Sequence, residues 1–152
     1  MMSRRRSREF ALQALYQVEQ NTLSAEPALA ALGAARTDGD DMDGVGADLE
    51  ELQYARQLVG GVLERGAEID GLIDTASTNW RVRRMPLVDR NILRICTFEL
   101  LACPEVPHSV AINEAIELAK RFGDTDSKAF VNGIVDRIAA ETGRGGRRHK
   151  QA

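Results

Sequence analysis

The sequence predicts an all-α domain of about seven helices. Apolar residues recur at helical spacing in one segment after another, and no segment alternates convincingly as a half-buried strand would. Prolines and glycines separate these segments and leave mostly short links between them. A third observation tests the prediction at its weakest point. The stretch "AFVNGIVDRI", residues 129–138, contains Asn132-Gly133 between apolar residues, which is a strong hairpin signal. Yet Phe130, Val131, Ile134, Val135 and Ile138 form one stripe with a period of about 3.6 residues running through it. A helix is therefore expected. Gly133 should cost it about 1 kcal/mol relative to Ala, with another helix packing closely on the bare backbone as compensation and Asn132 hydrogen-bonding that neighbour.

The elements follow in order. A first helix starts inside "RRRSRE" and carries Phe10, Ala11, Ala14, Leu15 and Val18 on one face. A short second helix fits "PALAALGAA", with Pro27 in its first turn and Gly33 near its end. Residues 37–48 are acidic and glycine-rich, a composition that predicts a flexible linker. Asp48 and Glu51 make a weak capping box for a third helix carrying Leu49, Leu52, Leu58, Val59, Val62 and Leu63. Gly60-Gly61 interrupts that stripe, and Gly66 ends or bends the helix. Ile69, Leu72, Ile73, Ala76 and Trp80 share a face of a fourth. "RVRRMP" reads as a hinge, with Pro86 in the first turn of a fifth helix. There Val88, Ile92, Ile95, Cys96 and Leu100 face inward, while Asp89, Arg90 and Arg94 point outward or sideways. After the loop "CPEVPHS", the sixth helix carries Ile112, Ala115, Ile116, Ala119 and Phe122 and stops at Gly123. Asp124 or Asp126 caps the seventh. The tail 143–152 is basic and expected to be disordered.

Composition sets the class. The 152 residues suit a single domain, 1–152, able to bury its own core. Hydrophobic content of 43% and charged content of 28% are ordinary for a soluble fold. No run approaches the ~20 apolar residues of a membrane span, and the N-terminus lacks the apolar core of a signal peptide. A cytoplasmic protein is expected. Cys96 and Cys103, on one helix, would lie roughly 10 Å apart along its axis, too far for a disulfide. The net charge is only −3, but eight of the 20 basic residues sit in the two termini, leaving 12 against 23 acidic residues elsewhere. An acidic body with basic ends favours an anionic partner at those ends.

Two features could carry binding. Arg4, Arg5, Arg6 and Arg8 are guanidinium groups at the head of a helix, suited to phosphates and to stacking on bases; the alternative is a disordered, solubilising terminus. Phe130 lies in the first turn of the last helix beside Lys128 and Asp126, where a ring could stack on an unpaired base; the alternative is core. The carboxylate pairs Asp70 with Asp74 and Glu114 with Glu117 have no nucleophile or base nearby and read as solvated faces. His108, His149 and the two cysteines have no metal-ligand spacing. No strand precedes a glycine-rich phosphate loop. Neither catalysis, nor a metal, nor a cofactor is expected.

The order of three blocks, "RRRSREFALQALYQ", "VDRNILRICTFELL" and "VPHSVAINEAIELAKRFGDTDSKAFVNGIVDRI", closely resembles the NusB family of transcription antitermination factors. The resemblance spans nearly the whole chain except residues 21–48 and the tail after about 142. It implies seven helices in two small packed bundles. It further implies an RNA-binding factor, not an enzyme, that recognises single-stranded boxA RNA of rRNA operon transcripts together with NusE, a small-subunit ribosomal protein. NusA, NusG and RNA polymerase would complete the assembly, and some relatives form homodimers. Carried over residue by residue, Arg4, Arg5, Arg6 and Arg8 would grip RNA phosphates, and Asp126 and Phe130 would lie at the RNA surface, with Lys128 between them. Tyr16 and Asp89 would face NusE. Arg83 stands where some relatives are acidic, so that interface departs from the pattern here. Domains of this fold also precede rRNA methyltransferase domains; with no cofactor-binding sheet in these residues, no methyl transfer is expected.

Overall fold

A computed structural model describes residues 4–20, 24, 26–30 and 49–142. These residues are helical, without strands, and fall into two compact units, Met1–Leu63 and Glu64–Ala152. The acidic linker 37–48, the proposed Asp48 cap and the tail 143–152 lie outside the described residues.

In the first unit, α1 (Arg4–Glu19) and α3 (Leu49–Glu64) enclose the core, with α2 described at residues 26–30. α1 buries Phe10, Ala11, Ala14 and Leu15 of its predicted stripe and Leu12 beside it, while Val18 is only half-buried, and α3 supplies Tyr54, Ala55, Leu58, Val59 and Val62. The Ser7 hydroxyl ties α1 to α3 by donating to the Glu51 carbonyl at 2.8 Å. An exposed ion pair between Arg56 and Glu26, at 2.9 Å, adds little stability because both groups stay in water. Gly60-Gly61 does not interrupt α3, which continues to Glu64. Leu49 and Leu63, at the two ends of the helix, depart from their expected places in the stripe: they are 74% and 48% exposed.

In the second unit, α4 (Gly66–Ala76), a 3-10 turn (Val82–Arg84), α5 (Leu87–Ala102), α6 (His108–Phe122) and α7 (Ser127–Thr142) pack around α5. Helices α4, α6 and α7 all contact α5. This position explains why α5 is apolar nearly all round, with Ile92, Leu93, Ile95, Cys96, Phe98 and Leu100 buried. Arg94 reaches sideways to Asp70 of α4 through two hydrogen bonds of 2.9 and 3.0 Å. Arg137 of α7 donates to the carbonyl of Ala76 at 2.7 Å, satisfying an orphan acceptor at the end of α4.

Two expectations change here. α4 ends at Ala76, so Trp80 is not on its buried face but in the following loop, 50% exposed. α7 does run unbroken through Asn132-Gly133, as the period requires. The compensation expected for Gly133 is absent, however: a Cβ placed there would meet no neighbouring atom within 4 Å. Asn132 is exposed.

Candidate nucleic-acid interface

In the first unit the arginine cluster forms the opening turns of α1 instead of trailing in solvent. Helical spacing sends the four side chains in different directions. The Arg4 guanidinium lies 4.2 Å from the centroid of the buried Tyr54 ring, a cation–π arrangement that orients it. Arg6 approaches the carboxylate of buried Glu51 at 3.6 Å. Arg5 is exposed. Arg8 corrects the expectation that all four grip phosphates: it is only 3% exposed, because its helical position shares the inward face with Ala11, Leu12 and Leu15. Tyr16, three turns further along α1, is 44% exposed.

In the second unit the candidate residues gather at the start of α7. The link from α6 is a tight turn in which the Asp126 N–H donates to the Asp124 carboxylate at 3.0 Å and the Asp124 N–H donates to the Ser127 hydroxyl at 3.0 Å. The Ser127 proton goes to the Asp89 carboxylate, at 2.7 Å, in preference to Asp124, at 3.2 Å. Gly123 is required by space. A Cβ there would run into the Ser127 side chain and the Ala119 carbonyl.

Asp89 therefore departs from its expected outward position. It is 4% exposed, inside the junction of α5 and α7. Burial raises its carboxyl pKa above the ordinary carboxylate value; the Ser127 hydrogen bond partly offsets this, and the nearby charge of Asp124 adds to it. Asp89 instead forms the floor of a cleft of about 200 Å³, lined also by Trp80, Pro86, Asp124, Asp126 and Phe130. Phe130, half-buried, also walls a second cleft of about 180 Å³, whose lining includes Asn79, Gly133 and Arg137. Its ring is thus neither core nor fully exposed. Lys128 is exposed, a short step before it.

Trp80 is the residue that periodicity misplaced. Its i+4 spacing from Ala76 put it on a helical stripe, whereas the intervening Ser77-Thr78-Asn79 are residues that compete with helix through their own side chains. Ser77 does so, donating to the Trp80 carbonyl at 2.6 Å. Within the second unit, two aromatic side chains and carboxylate acceptors at one cleft suit recognition of planar ligands that carry N–H donors. Among the described residues no group of His, Cys, Asp and Glu could hold a metal ion.

The chain is similar to known proteins in sequence and in fold. The sequence profile of the NusB family matches residues 5–140. The transcription antitermination protein NusB of Myxococcus xanthus is 46% identical over 139 residues, covering 91% of this chain and 96% of that protein. The protein of the same name from Sorangium cellulosum is 47% identical over 144 residues, covering 95% and 96%. Among solved structures, T. maritima NusB superposes with a TM-score of 0.79 at 38% identity, covering 92% of each chain. A structure of antitermination factors NusB and NusE in complex with dsRNA shares the fold at TM-score 0.74 and 22% identity, over 92% of this chain and 99% of that one.

Proposed function

The chain belongs to the NusB family, and from that premise we propose that it is a transcription antitermination factor that binds single-stranded boxA-type RNA of rRNA operon transcripts together with NusE. It binds and does not transform; it is not an enzyme. The observation that carries the reading is Phe130, whose side chain lines two clefts, one of them together with Trp80. An unpaired base stacks on such a ring, a contact worth about 1–3 kcal/mol. Asp126, at the rim, can accept from a base N–H, while Arg4, Arg5, Arg6 and Lys128 meet phosphates. Arg8, buried, fixes α1 rather than touching RNA.

NusE meets Tyr16 in this reading, and Asp89 serves that interface indirectly, by anchoring Ser127 and the turn above it. NusA, NusG and RNA polymerase complete the assembly in the cytoplasm, and a homodimer would compete with RNA where it covers the same surface. Among the described residues no helix is long and apolar enough to cross a membrane.

The test is binding of a boxA-type RNA and a scrambled RNA, each with and without NusE. Preference for the boxA-type strand that grows with NusE is expected; no preference in either condition overturns the reading. Arg5→Ala should weaken binding and flatten its salt dependence by about 0.7 in log–log slope, the release of one counterion from a single strand. Phe130→Ala should weaken binding with the slope unchanged.

A further inference from the structure

The turn between α4 and α5 presents a charged surface that the reading above does not use. "WRVRR", residues 80–84, places Arg81, Arg83 and Arg84 in solvent, and none of the three forms an ion pair among the described residues. Three like charges within four residues repel one another, so this conformation must be held by other contacts. Val82 and Met85 supply them: they are buried at 5% and 3% exposure, pinning the turn from below. The Val82 N–H donates to the Asp74 carboxylate at 2.7 Å, and the Met85 N–H closes the turn on the Val82 carbonyl at 3.1 Å. Arg90 fixes the far side, donating to the carbonyls of Arg83 and Met85 at 2.9 and 3.3 Å. With the apolar residues turned in and the backbone fastened at both ends, the guanidinium groups can only project outward.

We infer that this turn is a second RNA-contacting surface, on which Arg81, Arg83 and Arg84 bind the phosphates of a single strand whose base enters the cleft between Trp80 and Phe130. The surface rests on the RNA-binding reading and extends it. Its occupant follows from the distribution of charge. The cleft is lined by the carboxylates of Asp89, Asp124 and Asp126, which repel phosphate and accept hydrogen bonds from base N–H groups. Immediately beside it, past Trp80, the charge reverses. A strand that puts a base in and its phosphates out satisfies both, with Trp80 and Phe130 offering their faces to the base.

The experiment uses the full chain and a boxA-type single-stranded RNA, with affinity measured by fluorescence anisotropy across a salt series. Arg81→Gln, Arg83→Gln and Arg84→Gln combined should make the log–log salt dependence shallower by about 2, since each neutralised phosphate contributes about 0.7. Because the three side chains are exposed and their neutralisation only relieves mutual repulsion, the melting temperature should not fall. Arg83→Glu alone, a milder change to the fold, should weaken binding at low salt and converge on the unsubstituted chain at high salt. Trp80→Leu should weaken binding without changing the slope. Unchanged salt dependence in both arginine variants, with RNA still bound, overturns this surface and leaves the broader reading standing. So does a loss of NusE binding in those variants with RNA binding intact, which would assign the turn to a protein partner. Failure of the unsubstituted chain to bind RNA at all would sink the broader reading and this one with it.

Discussion

Gly133 exposes backbone in the middle of α7 and nothing packs against it. Replacing it by Ala should therefore stabilise the chain by up to about 1 kcal/mol, read as a shift of the urea midpoint; a loss of stability would mean that the open space over Gly133 is filled in solution. Asp89 makes a second residue-level prediction, through pH. Its folded pKa is raised, so between the unfolded value of 3.8 and the folded one the native state holds a proton that the unfolded chain has released. Its favourable contribution is present below that window and is lost as pH rises through it. Asp89→Asn, which keeps the Ser127 hydroxyl partnered, should raise stability at neutral pH and lose that advantage as pH falls below the window. Melting curves of both proteins across pH 3–8 would check this, and a constant difference throughout would refute it.

At the scale of elements, the short turn between α6 and α7 depends on Gly123. Gly123→Ala would force Ser127 away from Asp89 and crowd the Ala119 carbonyl, and overpacking of this kind costs about 1–3 kcal/mol. A lowered melting temperature with helix content retained is the expected result. The helices themselves were legible because their signal is repeated: five apolar residues from Phe130 to Ile138 outweigh one Asn-Gly pair, and four of the five stripe residues of α1 are buried. What escaped was decided by single ends and by neighbours distant in sequence. Trp80 fits the α4 stripe in spacing and lies beyond the helix end. Asp89 is polar and adjoins Arg90 in the sequence, yet a serine 38 residues later draws it inside. Of the candidate site, Phe130 and Asp126 were readable as neighbours in one turn of chain. That Trp80 and Asp89 share their cleft depends on how α4, α5 and α7 pack, which no local pattern encodes.

For the molecule as a whole, burial is uneven. Ten of the 16 residues of α5 are buried, including the polar Asn91, Thr97 and Glu99. Its amides should exchange with solvent more slowly than those of α1 or α3, because opening them disrupts contacts with three other helices. Hydrogen-exchange mass spectrometry would show this, and equal protection across the helices would contradict it. Charge is uneven too: 23 acidic residues against 20 basic ones give a net charge of −3, so the whole chain repels polyanions weakly while exposed arginines attract them locally. The same α5 holds Cys96, and Cys103 follows at its end; both are buried, and they are the two cysteines of the sequence. Folded protein should thus be inert to thiol reagents, since a buried thiol is both inaccessible and slow to ionise. A cysteine introduced at exposed Asn132 would then be the one reactive position, giving a fluorophore a single address beside Phe130 without removing either native thiol.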